Sequence, residues 1–404
     1  MLGLIGLSFL VAWSATYVIR TFAPRIGFVD KPGARKIHHN PKPLGGGVAI
    51  YLGLAAPLLT GLVYVHFNQL SRYAAENTSS TSNGFTRVTL GESFVYTPFG
   101  TVNLLAEHWE GVKHQTPAAL IFLGATLAMH VLGLVDDRKA LGPYVKLFFQ
   151  LGITTAMVLL MDLRALTALG PIPSFIVTVL WIAGITNAFN FLDNMDGLSA
   201  GIAAVCTTAF LIAALSIEQW FVAATLALLL GSLLGFLCFN LPPASIFMGD
   251  SGSLLIGFVL GTLTVRTTYL PPGQDFGAGW YAVFAPLVVL AVPLYDLIVV
   301  SIIRISRGKS PFVGDTNHFS HRLVARGMSR RTAVLCLYLI TAATSVAAIL
   351  LPHVQSTFAA MLIFGQTLLV LGVVALLEQH PLPVNAPADL RAFEVTDPND
   401  KNKV

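Results

Sequence analysis

Five aspartates hold the reactive chemistry of this chain: the adjacent pair Asp136 and Asp137, then Asp193 and Asp196, then Asp250. Each stands at the end of an apolar run. A carboxylate beside hydrocarbon costs about 2.5–3.5 kcal/mol even on lenient insertion scales, so carboxylates gathered at one membrane face need a positive partner. A divalent cation holding a phosphorylated substrate is the simplest one. Hard cations take carboxylate, amide and water oxygens. The segment Asn187-Ala-Phe-Asn190-Phe-Leu-Asp193-Asn194-Met-Asp196-Gly197 supplies such oxygens at every third residue. Residues three apart are neighbours on a helix, and the spacing predicts one ligand-bearing face.

Four further segments add polar chemistry, each with a plainer alternative. In Val135-Asp136-Asp137-Arg138-Lys139 the paired carboxylates stay ionised near cations, and the plain reading is a surface cluster neutralised by Arg138 and Lys139. In Asn240-Leu-Pro-Pro-Ala-Ser-Ile-Phe247-Met-Gly249-Asp250-Ser251-Gly252-Ser253, small residues at a helix start let backbone approach a phosphate. The alternative makes Asp250 an ordinary N-cap. Gly314-Asp315-Thr-Asn-His318-Phe-Ser320-His321-Arg322 combines two histidines and an arginine suited to an anion, against a solvated basic loop. The proline-stiffened stretch from Asp30 to Gly47, with Arg35 and Lys36, suits a phosphate too, against a simple cytoplasmic anchor.

The elements that position these residues are membrane helices. Of 404 residues 55% are hydrophobic and 11% charged, with mean hydropathy +0.73. A helical span needs about 20 apolar residues. Eleven segments qualify: 1–22, 44–66, 116–135, 143–162, 171–189, 197–216, 219–239, 252–270, 280–304, 331–351 and 355–377. The expected fold is one all-α polytopic bundle over 1–377, since a barrel would alternate with period two. The first segment lacks a basic start and does not read as a cleaved signal peptide. Most of the 24 Lys and Arg fall in 20–42, 138–146, 304–331 and the tail, which places the N-terminus outside and the C-terminus in the cytoplasm. The net charge of +4 is therefore a topology signal and no pointer to nucleic acid. The three cysteines lie in spans without metal-ligand spacing. An outer insertion, about 67–115, contains a hairpin pattern around Arg87–Leu90 and Phe94–Thr97. The tail 378–404 is expected to be disordered.

Together the five motifs resemble those of the polyprenyl-phosphate N-acetylhexosamine-1-phosphate transferases, most closely the undecaprenyl-phosphate N-acetylglucosamine-1-phosphate branch. The resemblance covers nearly the whole chain apart from 67–115 and the tail. It implies transfer of a sugar 1-phosphate from a UDP-sugar to undecaprenyl phosphate, dependent on magnesium, with manganese as a substitute, at the cytoplasmic face of a bacterial inner membrane. A homodimer is compatible with it. It implies catalytic roles for Asp136, Asp137, Asp193, Asp196, His318 and His321. Metal ligation falls to Asp250, Asn190 and Asp193. Substrate contacts fall to Lys146, Asn187, Asn190, Arg322, Arg35 and Lys36, with Asn240 and Phe247 at the uridine. The chain departs from the pattern at Ser320, where the family often has histidine, and at Asn194, where it commonly has glycine. The phospho-MurNAc-pentapeptide translocase is a more distant sibling. A cation-coupled transporter is the alternative from another class, and it requires carboxylates near the membrane midplane.

Overall fold

The computed structural model describes residues 1–30, 41–67, 78–80, 85–90, 93–98, 101–267, 280–311, 317–354 and 356–379. Arg35 and Lys36 lie outside these residues, as does the chain after Gln379. The helices in order are α1 (Leu2–Phe22), α2 (Gly46–Phe67), α3 (Thr101–Arg138), α4 (Pro143–Leu160), α5 (Pro171–Leu192), α6 (Leu198–Ser216), α7 (Trp220–Asn240), α8 (Asp250–Arg266), α9 (Ala285–Val289), α10 (Ala291–Ser306), α11 (Phe319–Ala325), α12 (Arg330–Leu350) and α13 (Thr357–Gln379). The last of these runs one residue past Glu378, into the segment expected to be disordered.

Among the described residues nine helices are long and apolar enough to cross a membrane. The number is ten if Tyr281–Val289 and Ala291–Ser306, bent by 69°, form one broken span. The sequence count of eleven also includes α8, which at 17 residues is short for a crossing of its own. Pro143 and Pro171 open α4 and α5, a position where the missing N–H has no partner to lose.

Helices α6 and α7 are apolar on all sides and form the centre of the bundle. The long α1 lies along α7 and α2, and α12 lies along α6. Helix α8 is buried along nearly its whole length between α2, α3 and α5. Small residues make that possible. A Cβ on Gly47 would overlap the backbone of Gly252, and one on Gly133 would overlap Ser251. Such close backbone approach is how membrane helices gain packing energy without a hydrophobic drive. The apolar faces of α1 and α13 are exposed, as at Leu10, Leu368 and Leu376, consistent with contact with lipid.

Two small sheets complete the description. β1 (Val29–Asp30) pairs with β2 (Lys42–Pro43) antiparallel. In the insertion, β3 (Thr78–Ser80), β4 (Phe85–Leu90) and β5 (Ser93–Pro98) form an antiparallel sheet. The register Leu90↔Ser93 matches the hairpin read from the sequence.

Candidate active site

The site is built around the segment Leu241–Gly249, which joins α7 to α8 and is braced from three directions. Asn240 is buried at the end of α7; its Nδ2 donates to the Ile246 carbonyl at 2.9 Å, and its Oδ1 accepts from the Gly197 amide at 3.0 Å. Asp196 Oδ2 accepts from the Ala244 amide at 2.9 Å, and Lys42 Nζ donates to the Ala244 carbonyl at 2.7 Å. The amides of Gly46 and Gly47 donate to the carbonyls of Phe247 and Met248, and Phe247 N donates to Pro43. The chain from Pro43 to Gly47 thus lies against Phe247 and Met248 as a strand-like rail.

Helix α8 begins where this segment ends. Gly249 adopts φ 74°, and a Cβ there would strike the Asp137 carboxylate at 2.6–2.7 Å, so glycine is required twice over. Asp137 reaches across from the end of α3 and accepts the amides of Asp250 at 2.7 Å and Ser251 at 3.1 Å. A carboxylate on two free N–H groups at a helix N-terminus is a strong cap. The cap of α8 is therefore Asp137, and Asp250, read from sequence as its alternative N-cap, is the first helical residue with its side chain free for other work. His130, one helix face along α3, donates through Nδ1 to the Ser251 carbonyl at 2.9 Å while stacked on Tyr51.

The freed side chain of Asp250 meets Lys146 and Asn190. Lys146 Nζ lies 2.6 Å from Asp250 Oδ2 and 3.1 Å from Asp136 Oδ2. Asp136 also accepts from the Leu141 amide at 2.7 Å. Asn190 Nδ2 donates to Asp250 Oδ1 and to Ser253 Oγ, both at 2.9 Å. One lysine thus bridges two of the carboxylates.

Asp193 differs from the other four. Among the described residues its carboxylate has no hydrogen bond and no ion pair. Burial pushes its carboxyl well above the usual range, and the negative charges of Asp250, Asp137 and Asp196 push it the same way. An unpaired carboxylate facing three others fits a hard divalent cation. Among the described residues no three His, Cys, Asp or Glu side chains converge as a ready-made metal cage. Magnesium suits such a site, because it binds through one or two carboxylates and completes its shell with water and substrate phosphates. Asp193 and Asp250 would hold it, with Asn190 as the neighbouring amide.

Several residues singled out from sequence do other work. α5 ends at Leu192, so Asp193 and Asp196 lie in the turn beyond the helix and not on a continuous face. Asn187 does not join the cluster: its Nδ2 donates to Gln150 Oε1 and the Ala183 carbonyl, each at 2.8 Å. Asn240, expected at the uridine, spends one N–H and one lone pair of its amide on bracing the loop. Phe247, its partner in that reading, is half-buried beside the site. Arg322 is held at 2.9 and 3.1 Å by Glu378 of α13, so in this structure its guanidinium faces that helix. His318 is buried, with Nδ1 at 2.8 Å from Asp296 and Nε2 at 3.5 Å from Arg304. His321, half-buried on the same helix, has its ring 6.5 Å from that of His318.

Residues the motifs did not reveal are Gln150, His130, Asp296, Arg304 and Glu378. The last three carried a usable signal, since an ionisable residue inside an apolar run marks a partner nearby.

The profile of the family described as Glycosyl transferase family 4 matches residues 119–268, which contain all five aspartates and Lys146. The chain is 30% identical over 365 residues to a Bacillus subtilis protein named probable undecaprenyl-phosphate N-acetylglucosaminyl 1-phosphate transferase, covering 88% of this chain and 86% of that one. It is 31% identical to decaprenyl-phosphate N-acetylglucosaminephosphotransferase of Mycolicibacterium smegmatis, over 84% of this chain and 79% of that one. With undecaprenyl-phosphate alpha-N-acetylglucosaminyl 1-phosphate transferase of Yersinia pestis the identity is 27%, over 83% and 80%. Identity at this level along nearly the full length of both chains, on a bundle whose motifs gather at one end, makes the chain a member of glycosyl transferase family 4, in its polyprenyl-phosphate N-acetylhexosamine-1-phosphate transferase group.

Proposed function

We propose that this protein transfers N-acetylglucosamine 1-phosphate from UDP-N-acetylglucosamine to undecaprenyl phosphate or a related polyprenyl phosphate. The products are the polyprenyl diphosphate sugar and UMP. The observation that carries the reading is the polar cluster at the start of α8, where Asp137 caps the helix and Lys146 and Asn190 meet the side chain of Asp250, with Asp136 on the same lysine. The relatives' names supply the substrates.

The lipid phosphate oxygen attacks the phosphorus that bears the sugar. The bond from that phosphorus to the UMP oxygen breaks, and UMP leaves with the electron pair. A phosphate monoester has its second pKa at about 6, so the acceptor needs little help to lose its proton. The barrier is mainly the repulsion of two anions, which positioning and charge neutralisation lower. Bound magnesium, or manganese in its place, supplies charge neutralisation at the donor's diphosphate. Asp193 and Asp250 hold that charge in place. Lys146, drawn between Asp136 and Asp250, offsets part of their negative charge and brings one cation to the cluster. Asp136 and Asp137 position, the first through Lys146 and the second through the start of α8. This is direct in-line transfer with no covalent enzyme intermediate.

We place the site at the cytoplasmic face of a bacterial inner membrane, on the excess of Lys and Arg in the loops that flank it. Asp136 and Asp137 close α3, Asp250 opens α8, and Asp193 and Asp196 follow α5. Carboxylates at helix ends favour transferase chemistry over a midplane ion path. The test uses the purified full-length protein in detergent with radiolabelled UDP-N-acetylglucosamine and undecaprenyl phosphate. Lipid-linked label and UMP are expected in equal amounts, with both abolished by EDTA and restored by magnesium. Release of label without lipid product, or transfer indifferent to EDTA, would overturn the reading.

A further inference from the structure

A second polar cluster lies outside the five aspartates, where α10 meets the histidine helix α11. Asp296 is fully buried, Arg304 is 2% exposed and His318 is 6% exposed. The two oxygens of Asp296 are both used: Oδ2 lies 2.8 Å from His318 Nδ1, and Oδ1 accepts the Phe319 amide at 2.6 Å. A carboxylate only accepts here, so Nδ1 carries the proton. Arg304 Nη2 faces the other ring nitrogen at 3.5 Å, and a guanidinium only donates. The ring is therefore oriented from both sides, with Nδ1–H toward Asp296 and Nε2 toward Arg304. Arg304 is itself fixed by donating to the Pro311 carbonyl at 2.6 Å and by lying 4.8 Å over the ring of Phe191. Phe191 also meets His318 edge-on at 5.6 Å. It sits directly between Asn190 and Leu192, on the turn of α5 that delivers Asn190 and Asp193 to the acidic cluster.

We propose that Asp296 and Arg304 are positioning residues for the transfer reaction, and that His318 belongs to the clamp they form and carries no proton to or from substrate. The clamp does two things at once. Through Phe319 N it fixes the first turn of α11, and so the direction of the helix that carries His321. Through Phe191 it sets α11 against the end of α5. Of the two histidines predicted to be catalytic, His318 is thereby assigned to the clamp. The proposal rests on the transferase reading for its kinetic arm and on geometry alone for its structural arm.

The experiment compares full-length wild type with His318→Asn, His318→Ala, Asp296→Asn and His321→Asn in detergent. An asparagine amide nitrogen sits close to where Nδ1 was and can still donate to Asp296. His318→Asn is expected to keep kcat within about tenfold of wild type, whereas losing a proton-transferring group costs about 10²–10⁴-fold. His318→Ala and Asp296→Asn are expected to lose more of kcat than His318→Asn, and to raise amide hydrogen exchange in peptides covering 319–325. His321→Asn should lose kcat with exchange unchanged. The proposal fails if His318→Asn is as inactive as His318→Ala while its exchange matches wild type. It also fails if Asp296→Asn alters neither readout. Should Asp296→Asn not fold, the two His318 variants decide the matter alone. If wild type transfers no sugar phosphate, the transferase reading falls while the exchange data still judge the clamp.

Discussion

Ser320 Oγ donates to Asn194 Oδ1 at 2.6 Å, joining the histidine helix to the turn that holds Asp193 and Asp196. The resemblance marks both positions as departures from the family's pattern, and in this structure they touch. Ser320 is 1% exposed, and Asn194 is oriented by donating through Nδ2 to the Phe191 carbonyl at 2.7 Å. A glycine at 194 offers no acceptor, and a histidine at 320 fills the space that the short serine leaves for the asparagine. The two departures are one local solution built from two changes.

A double-mutant cycle tests this coupling. Asn194→Gly leaves a buried hydroxyl without its partner, at a cost of about 1–3 kcal/mol. Ser320→His alone overfills the contact, at a cost of about 1–3 kcal/mol. The double variant should recover part of both losses, with a coupling of about 0.5–3 kcal/mol as expected for residues in contact. Thermal unfolding in detergent reads it. Strict additivity would show that the two positions vary independently.

Asp137 and Asp193 are both carboxylates of the cluster, yet their variants should move stability in opposite directions. Asp137→Asn replaces one of two acceptors at the start of α8 with a donor facing an N–H. It should lower stability by about 1–2 kcal/mol, the usual worth of a cap. Asp193→Asn removes a half-buried carboxylate that other carboxylates repel and should raise the unfolding temperature of the metal-free protein. It should also abolish transfer and the stabilisation by magnesium. Equal destabilisation by both would mean that Asp193 has a structural partner.

The pH dependence of the metal-free protein follows from the same residue. Asp193 has its folded carboxyl raised above the ordinary range, by burial first and by its acidic neighbours second. Between the ordinary value and the raised one, the folded state keeps a proton that the unfolded state releases. Stability contributed by this group therefore falls as pH rises through that window, and the loss is complete above the folded value. With EDTA present, unfolding temperature should decline as pH rises toward neutrality, and Asp193→Asn should flatten the decline. Magnesium should restore most at the upper end of the range, where the carboxylate is ionised. A magnesium effect that is largest in acid would contradict the assignment of Asp193 as a ligand.

How much of this was legible in the sequence depends on the range of each interaction. Asp136 and Asp250 were found because carboxylates stand out against apolar surroundings, Lys146 came only from the family resemblance, and the structure brings all three together. The hairpin of the insertion was found because its alternation is local. The role of Asp137 as the cap of α8 was not legible, since 113 residues separate it from Asp250. The helical face expected from Asn187 to Asp196 failed because α5 ends at Leu192, where Asp193 leaves helical geometry with ψ 52°. Arg322 was read as a substrate contact and His318 as catalytic because a motif shows which charges are present. It does not show that Glu378 and Asp296, from helices distant in sequence, already engage them.

The pair Arg322–Glu378 gives the sharpest test of that distinction. Glu378 accepts from Arg322 Nη2 with both oxygens and from the Tyr295 hydroxyl at 2.9 Å. Both charged side chains are mostly buried, at 14% and 8% exposure. Removing one partner of a buried pair costs about 3–5 kcal/mol, because the other charge is left without compensation. Glu378→Ala and Arg322→Ala should therefore each lower the unfolding temperature by a similar amount, and the double variant should be no worse than either. The KM for UDP-N-acetylglucosamine should shift equally in the two single variants, since each loosens α11 by the same route. A large rise in KM confined to Arg322→Ala would instead assign the guanidinium to the nucleotide diphosphate. In that case the contact with α13 is the resting position of a side chain that leaves it when substrate binds.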